Sequence, residues 1–139
     1  MYPYIRISDS EKAMISSPQF FRALADRTRL RIVNLLARGS LCVCDIQRIL
    51  EQPQSSVSRH LALLKSAGLI VDRRDGMRTF YALAAPDSRL TRSVRSAIRA
   101  HLAAEGEYRS DLDELTRLRA RGECHEQPKR RGDERGNRR

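Results

Sequence analysis

The residues of this sequence best suited to chemistry are Cys42 and Cys44, which flank Val43 in the segment LCVCDI. Thiolates are soft donors, so a pair of them favours soft, thiophilic ions over the hard cations that oxygen ligands hold. The spacing restricts how they act together. Side chains two apart on a helix diverge by about 200°, whereas in an extended segment they share a face. Both sulfurs therefore grip one atom only if the backbone at Cys42-Val43-Cys44 is extended or distorted. Cys44 also falls near a helix start, where the dipole favours thiolate. A single cysteine is often just a small buried hydrophobe; the CxC spacing at a helix junction argues for ligation. A third cysteine, Cys124, stands far along the chain and is followed by His125.

The pair opens a short apolar-periodic run with Ile46, Ile49 and Leu50, which stops at Glu51-Gln52-Pro53. Proline removes a backbone donor and steers its predecessor out of helix. A second run follows, with Val57, Leu61 and Leu64 on one stripe and Gly68 as its stop. Between those apolar positions lie Gln54, Ser55, Ser56, Ser58, Arg59 and His60, all hydrogen-bonding side chains. Short helix, tight turn and a longer helix with a polar face read as a helix-turn-helix.

The remaining elements frame that unit. Ser16-Ser17-Pro18 predicts a helix start with proline in the first turn, burying Phe20, Phe21, Leu24 and Ala25. Asp26 is suited to cap the next helix, whose apolar residues are Leu30, Val33, Leu36 and Ala37 and whose end is Gly39. After Gly68 the period changes, and LIVDRRDGMRTFYALA reads as two strands around the turn dipeptide Asp75-Gly76. A hairpin placed there is a wing. From Pro86 to about Arg121 the helical period returns, with Leu90, Val94, Ala97, Ile98 and His101 on one stripe. Leu112, Leu115 and Leu118 extend it in a shifted phase, and Gly106 marks a kink or break. So long a terminal helix has little domain left to pack on, which predicts burial against a second copy.

The fold class is thus mainly α with a small β-hairpin, a winged helix-turn-helix dimerising through its N- and C-terminal helices. The organisation is an arm over residues 1–16, a DNA-binding and dimerisation domain over 17–121, and a basic, disordered tail over 122–139 carrying Cys124. The 139 residues hold 27 Lys+Arg against 17 Asp+Glu, a net +10 that favours polyanionic partners. Six basic and two acidic residues from Pro128 onward place four of those charges in the tail, leaving a basic domain. The start lacks a signal pattern, and no apolar run approaches the roughly 20 residues of a spanning helix. Three cysteines make no even disulfide framework, so reduced thiols in a cytoplasm are expected. No Ser-His-acid set, glycine-rich phosphate loop or apolar carboxylate pair supports an enzyme.

The order helix, helix, LCVCDI, QSSVSRHLALLKSAGL, DGMRTFYAL wing, terminal helix resembles the arsenic-repressor (ArsR/SmtB) family of winged-helix metal sensors, over roughly residues 17–120. The CVCD segment is similar to its arsenite-responsive branch. The resemblance implies a homodimeric repressor on double-stranded operator DNA, released when As(III) or Sb(III) binds cysteine thiolates at the start of the first reader helix. That branch places a third cysteine a few residues on, but Gln47 and Arg48 stand there, so Cys124 is taken as the third ligand with Cys42 and Cys44. The family's terminal-helix zinc site needs paired His and carboxylate ligands; this helix offers His101 and Glu105, and no zinc site is expected on it. Gln54, Ser55, Ser58 and Arg59 are placed for base edges, with His60 either beside them on DNA or bridging back to the first reader helix. Lys65, Arg73, Arg74 and Arg78 are placed for phosphate. A thiol redox or reactive-sulfur sensing repressor of the same fold, working through a disulfide to Cys124, is the alternative.

Overall fold

The computed structural model describes residues 16–125. Of the expected arm over 1–16, residues 1–15 lie outside the described residues, as do residues 126–139 of the expected tail over 122–139. The first four residues of that tail, expected to be disordered, are instead held by contacts to the first reader helix and to the end of the last helix. The first helix, α1 (Ser17–Leu24), begins where Ser16 accepts the amide of Gln19 at 3.3 Å, with Pro18 in the first turn. It buries Phe20, Ala23 and Leu24. Phe21 and Ala25, expected inside, are exposed, Phe21 by 48%. At 100° per residue Phe21 leaves the stripe of Phe20 and Leu24, and it packs edge-on against Phe20 with ring centroids 5.4 Å apart.

Asp26 caps α2 (Arg27–Leu36) by accepting the Arg29 amide at 3.0 Å. Ile32, Val33, Leu35 and Leu36 are buried, whereas Leu30 is only partly buried and Ala37 lies past the helix end. Arg29 reaches back to the carbonyls of Ala23 (2.8 Å) and Arg22 (3.2 Å), supplying donors to the unsatisfied end of α1.

A two-residue strand, β1 (Leu41–Cys42), leads directly into α3 (Val43–Leu50). Glu51, left-handed at φ 53°, ends α3, and Pro53 starts α4 (Gln54–Ser66), which buries Val57, Leu61 and Leu64. The wing is β2 (Ile70–Asp75) and β3 (Arg78–Leu83). Asp75 pairs with Arg78, so the turn is Gly76-Met77, one residue later than the sequence suggests. Gly76 takes φ 61° at its first central position, which a side-chain-bearing residue rarely adopts. The sheet has three antiparallel strands, ordered β1-β3-β2, with Leu41 opposite Tyr81 and Cys42 opposite Phe80. A two-residue strand is too short to leave a period-two pattern, so only a hairpin is legible in the sequence.

Helix α5 (Arg89–His101) starts in a reciprocal capping box between Ser88 and Thr91. A short 3₁₀ turn (Leu102–Ala104) then separates it from α6 (Gly106–Ala120), so the expected long helix is two. The expectation that its whole stripe awaits a second copy is corrected for α6, which folds back onto its own core with Leu115 at 2% and Leu118 at 1% exposure. The break at Gly106 provides the change of direction. Polar contacts fasten this return to α2. Arg31 donates from Nε to Asp111 at 2.8 Å and from a terminal nitrogen at 2.9 Å, and it pairs with Glu107 at 3.1 Å. Arg27 also pairs with Glu107, and Asn34 donates to the Tyr108 carbonyl at 3.1 Å. Leu118 thereby joins Ile32, Leu35, Leu41, Ile46, Leu61, Leu64 and Ile70 in one core. Each such side chain contributes about 1.5–3 kcal/mol by burial.

Candidate metal centre and nucleic-acid interface

The β1–α3 junction meets the geometric demand that the CxC spacing makes. Cys42 is extended (φ −66°, ψ 144°) and is at once the last residue of β1 and the cap of α3. One extended residue followed by the first helical turn brings both side chains to one side, with Cα atoms 5.3 Å apart. The sulfurs are joined as a disulfide where the sequence reading expects reduced thiols. Cys42 Sγ also accepts the Cys44 amide at 3.4 Å, so a helix N-terminal donor points at sulfur. Cys42 is buried, and Cys44 borders an open groove of about 580 Å³ lined by Gln47, Arg48, Glu51, Gln52 and Pro53.

A second segment reaches the junction from the far end of the chain. Helix α6 ends in a Schellman turn: Glu123 N–H bonds to Leu118 O at 2.9 Å and Gly122 N–H to Arg119 O at 3.1 Å. Gly122 holds the left-handed φ of 68° that this reversal needs. The chain then runs back along α3. Glu123 pairs with Arg48 at 2.8 Å, and Asp45, 1% exposed, accepts the His125 amide at 2.9 Å through Oδ2. Its Oδ1 lies 3.1 Å from His125 Nδ1, which is itself 3.3 Å from Cys44 Sγ. Ligand atoms of Cys42, Cys44 and His125 all lie within 4.8 Å of one another. Cys124 packs partly buried against the hydrophobic core. His101 sits exposed at the end of α5.

Sequence reasoning placed the two sulfurs but not the roles of His125 and Asp45. A glycine at 122 just past the last apolar residue of a helix signals a Schellman reversal. It does not say which helix the reversed chain meets.

On the reader helix itself, Gln54, Ser55, Ser58 and Arg59 are exposed along the start of α4. His60 is half-buried and turned inward: Nδ1 lies 3.3 Å from the Arg29 guanidinium and 3.8 Å from Asp26. Asp26 sits below its ordinary pKa; burial works against ionisation, but the Arg29 amide and the nearby Arg29 and His60 outweigh it. Lys65 pairs with Asp72 at 2.9 Å, tying α4 to β2, and the pair raises the lysine pKa. In the wing Arg74 donates to the Gly76 carbonyl at 3.4 Å, Arg73 lies 3.9 Å from Asp75, and Arg78 is exposed.

An exposed polar reader helix, a short supporting helix and a basic wing define a winged helix-turn-helix protein. Residues 26–71 match the bacterial regulatory protein, arsR family. The arsenic resistance transcriptional regulator ArsR2 of Pseudomonas putida is 37% identical over 99 residues, which cover 70% of this chain and 84% of that protein. The arsenical resistance operon repressor of Escherichia coli is 53% identical over 66 residues, 47% of this chain and 56% of that protein, so the match spans little more than half of it. Among solved structures, Mb0332 of Mycobacterium bovis is described as a homodimeric winged helix-turn-helix DNA-binding domain and a possible ArsR-family regulator. It superposes with a TM-score of 0.54 at 33% identity, covering 70% of this chain and 92% of that one. The chain belongs to the ArsR family of bacterial regulatory proteins, a family of DNA-binding regulators and not of enzymes. No helix among the described residues is long and apolar enough to cross a membrane.

Proposed function

We propose that the chain is a metalloid-responsive transcriptional repressor, bound to operator DNA as a homodimer and released when As(III) or Sb(III) is taken up by Cys42 and Cys44. The observation that carries this reading is the double role of Cys42. It is paired with Phe80 of the wing and it caps the helix that supports the reader. An atom held between the two sulfurs acts on wing and reader together. The donor set fits, since trivalent arsenic is thiophilic and the junction already presents both sulfurs to one point. Cys124, in the segment that returns to α3, is the third thiol available within the chain. Names of the Escherichia coli and Pseudomonas putida relatives support arsenic as the inducer class.

DNA reading divides by exposure. Gln54, Ser55, Ser58 and Arg59 address base edges, while Arg73, Arg74 and Arg78 address phosphate, with Lys65 sharing its charge with Asp72. Two readers are supplied by a dimer, to which α5 contributes Leu90, Val94 and Ile98. Leu90 is 42% exposed and the other two are only partly covered. A homodimer of this kind addresses two half-sites about one helical turn apart.

A ligand shifts an equilibrium only by its differential affinity for the two states. Taking the operator from 99:1 to 1:99 occupancy needs about 5.5 kcal/mol of preference for the released form. The test is fluorescence anisotropy of the phosphine-reduced protein on its own promoter DNA, titrated with arsenite, antimonite, zinc and peroxide. Release by arsenite or antimonite, lost in both Cys42→Ser and Cys44→Ser while DNA binding persists, is the expected result. Metalloid release that survives either substitution rejects the site, and release by peroxide alone moves the protein to thiol redox sensing.

A further inference from the structure

We propose that, once Cys42 and Cys44 are reduced, their sulfurs and Nδ1 of His125 form a Cys2His site for a soft or borderline divalent cation of the zinc–cadmium class. This rests on the reading of the CxC pair as a ligand pair, and it adds His125 as a donor from the far end of the chain. The three donor atoms already lie within 4.8 Å of one another, with Nδ1 3.3 Å from Cys44 Sγ. In a tetrahedral site with bonds of about 2.3 Å to sulfur and 2.0–2.1 Å to nitrogen, S and N ligands stand about 3.6 Å apart. Nδ1 is within a few tenths of an ångström of that separation from Cys44 Sγ, and within 4.8 Å of Cys42 Sγ. A bound ion spreads the sulfurs from their bonded contact.

Donor chemistry and the anchoring of His125 both point to a cation. An imidazole with two thiolates suits borderline d10 ions, whereas trivalent arsenic is better served by a third sulfur. Asp45 is buried and accepts the His125 amide at 2.9 Å through Oδ2. That bond anchors the backbone of the residue whose ring reaches the sulfurs, while Asp45 Oδ1, 3.1 Å from Nδ1, shares that ring nitrogen with the sulfurs and gives it up when the ion binds. Once both thiol protons have left, the two thiolates and this carboxylate give the junction three negative charges. A divalent ion offsets two of them. Uptake of each ion releases the two thiol protons, and a metal on Nδ1 leaves the imidazole proton on Nε2. Loading also pins the segment after α6 to the helix that supports the reader. The Arg48–Glu123 pair already holds it there at 2.8 Å.

The experiment titrates the full phosphine-reduced chain with cadmium, read by sulfur-to-cadmium charge-transfer absorption. It compares the wild type with His125→Ala and Cys124→Ser. His125→Ala is expected to weaken cadmium binding by at least the roughly 10- to 100-fold that loss of an outer-shell partner costs, with circular dichroism unchanged. Nitrogen-15 histidine spectra of the loaded wild type are expected to show His125 protonated on Nε2. Cadmium affinity unchanged in His125→Ala, or lost through Cys124→Ser instead, overturns the proposal. Arsenite release of DNA, measured on the same proteins, separates this inference from the metalloid reading. Cadmium bound through His125 without arsenite release rejects the metalloid reading alone. Arsenite release with His125→Ala binding cadmium as the wild type does rejects the cation site alone.

Discussion

Arg31 and Asp111 form the most buried ion pair described, with side chains 12% and 5% exposed. The pair is bidentate, and its hydrogen bonds hold the guanidinium above its ordinary pKa. Removing one partner leaves a poorly solvated charge, with Glu107 at 3.1 Å as partial compensation. Asp111→Ala is expected to lower stability by about 3 kcal/mol, the low end for a broken buried pair, as read by urea denaturation. Among the basic residues, geometry ranks contributions that sequence could not. Lys65 already neutralises Asp72, whereas Arg78 is exposed in the wing. Arg78→Ala is therefore expected to reduce the salt slope of operator binding by about 1, and Lys65→Ala by less. Equal slopes for the two variants would contradict that ranking.

At the scale of elements, the junction of α1 and α2 illustrates how few groups set a helix pair. Asp26 caps α2, and Arg29 of the same turn closes the end of α1. Asp26→Ala is expected to cost about 1 kcal/mol at neutral pH. Because the Asp26 pKa is lowered in the fold, its contribution is full above the unfolded value of about 3.9 and is lost as pH falls through the folded value. The acid limb of a stability–pH curve should therefore be shallower in Asp26→Asn than in the wild type. An unchanged limb would show that other carboxylates govern acid unfolding.

Across the whole molecule, α6 and the residues after it close the domain, while α5 keeps an apolar stripe at the surface. In the proposed homodimer, Leu90 and the uncovered parts of Val94 and Ile98 are buried against a second copy. Sedimentation of a Leu90→Asp, Val94→Asp variant should report a monomer with a native circular dichroism spectrum and weakened operator binding. A variant that stays dimeric would move the interface away from α5.

What the sequence determined by itself is the order of the elements and the identity of the two sulfurs. Local signals carry these: Ser16 and Asp26 at helix starts, Pro53 as a punctuator, period 3.6 in Val57, Leu61 and Leu64, and CxC spacing that demands an extended or distorted segment. Such signals act within one turn of helix or one hairpin, so they are readable without knowing what packs where. They fail where length is the only cue, as for the two-residue β1, and where a stripe changes phase, as between Ile98 and Leu112. Tertiary structure alone decided that α6 returns to α2 and that Gly122 turns His125 toward Asp45 and Cys44. Those pairings join residues about eighty apart. Their selection depends on the shape of a packed core and on buried partners, which no local pattern encodes.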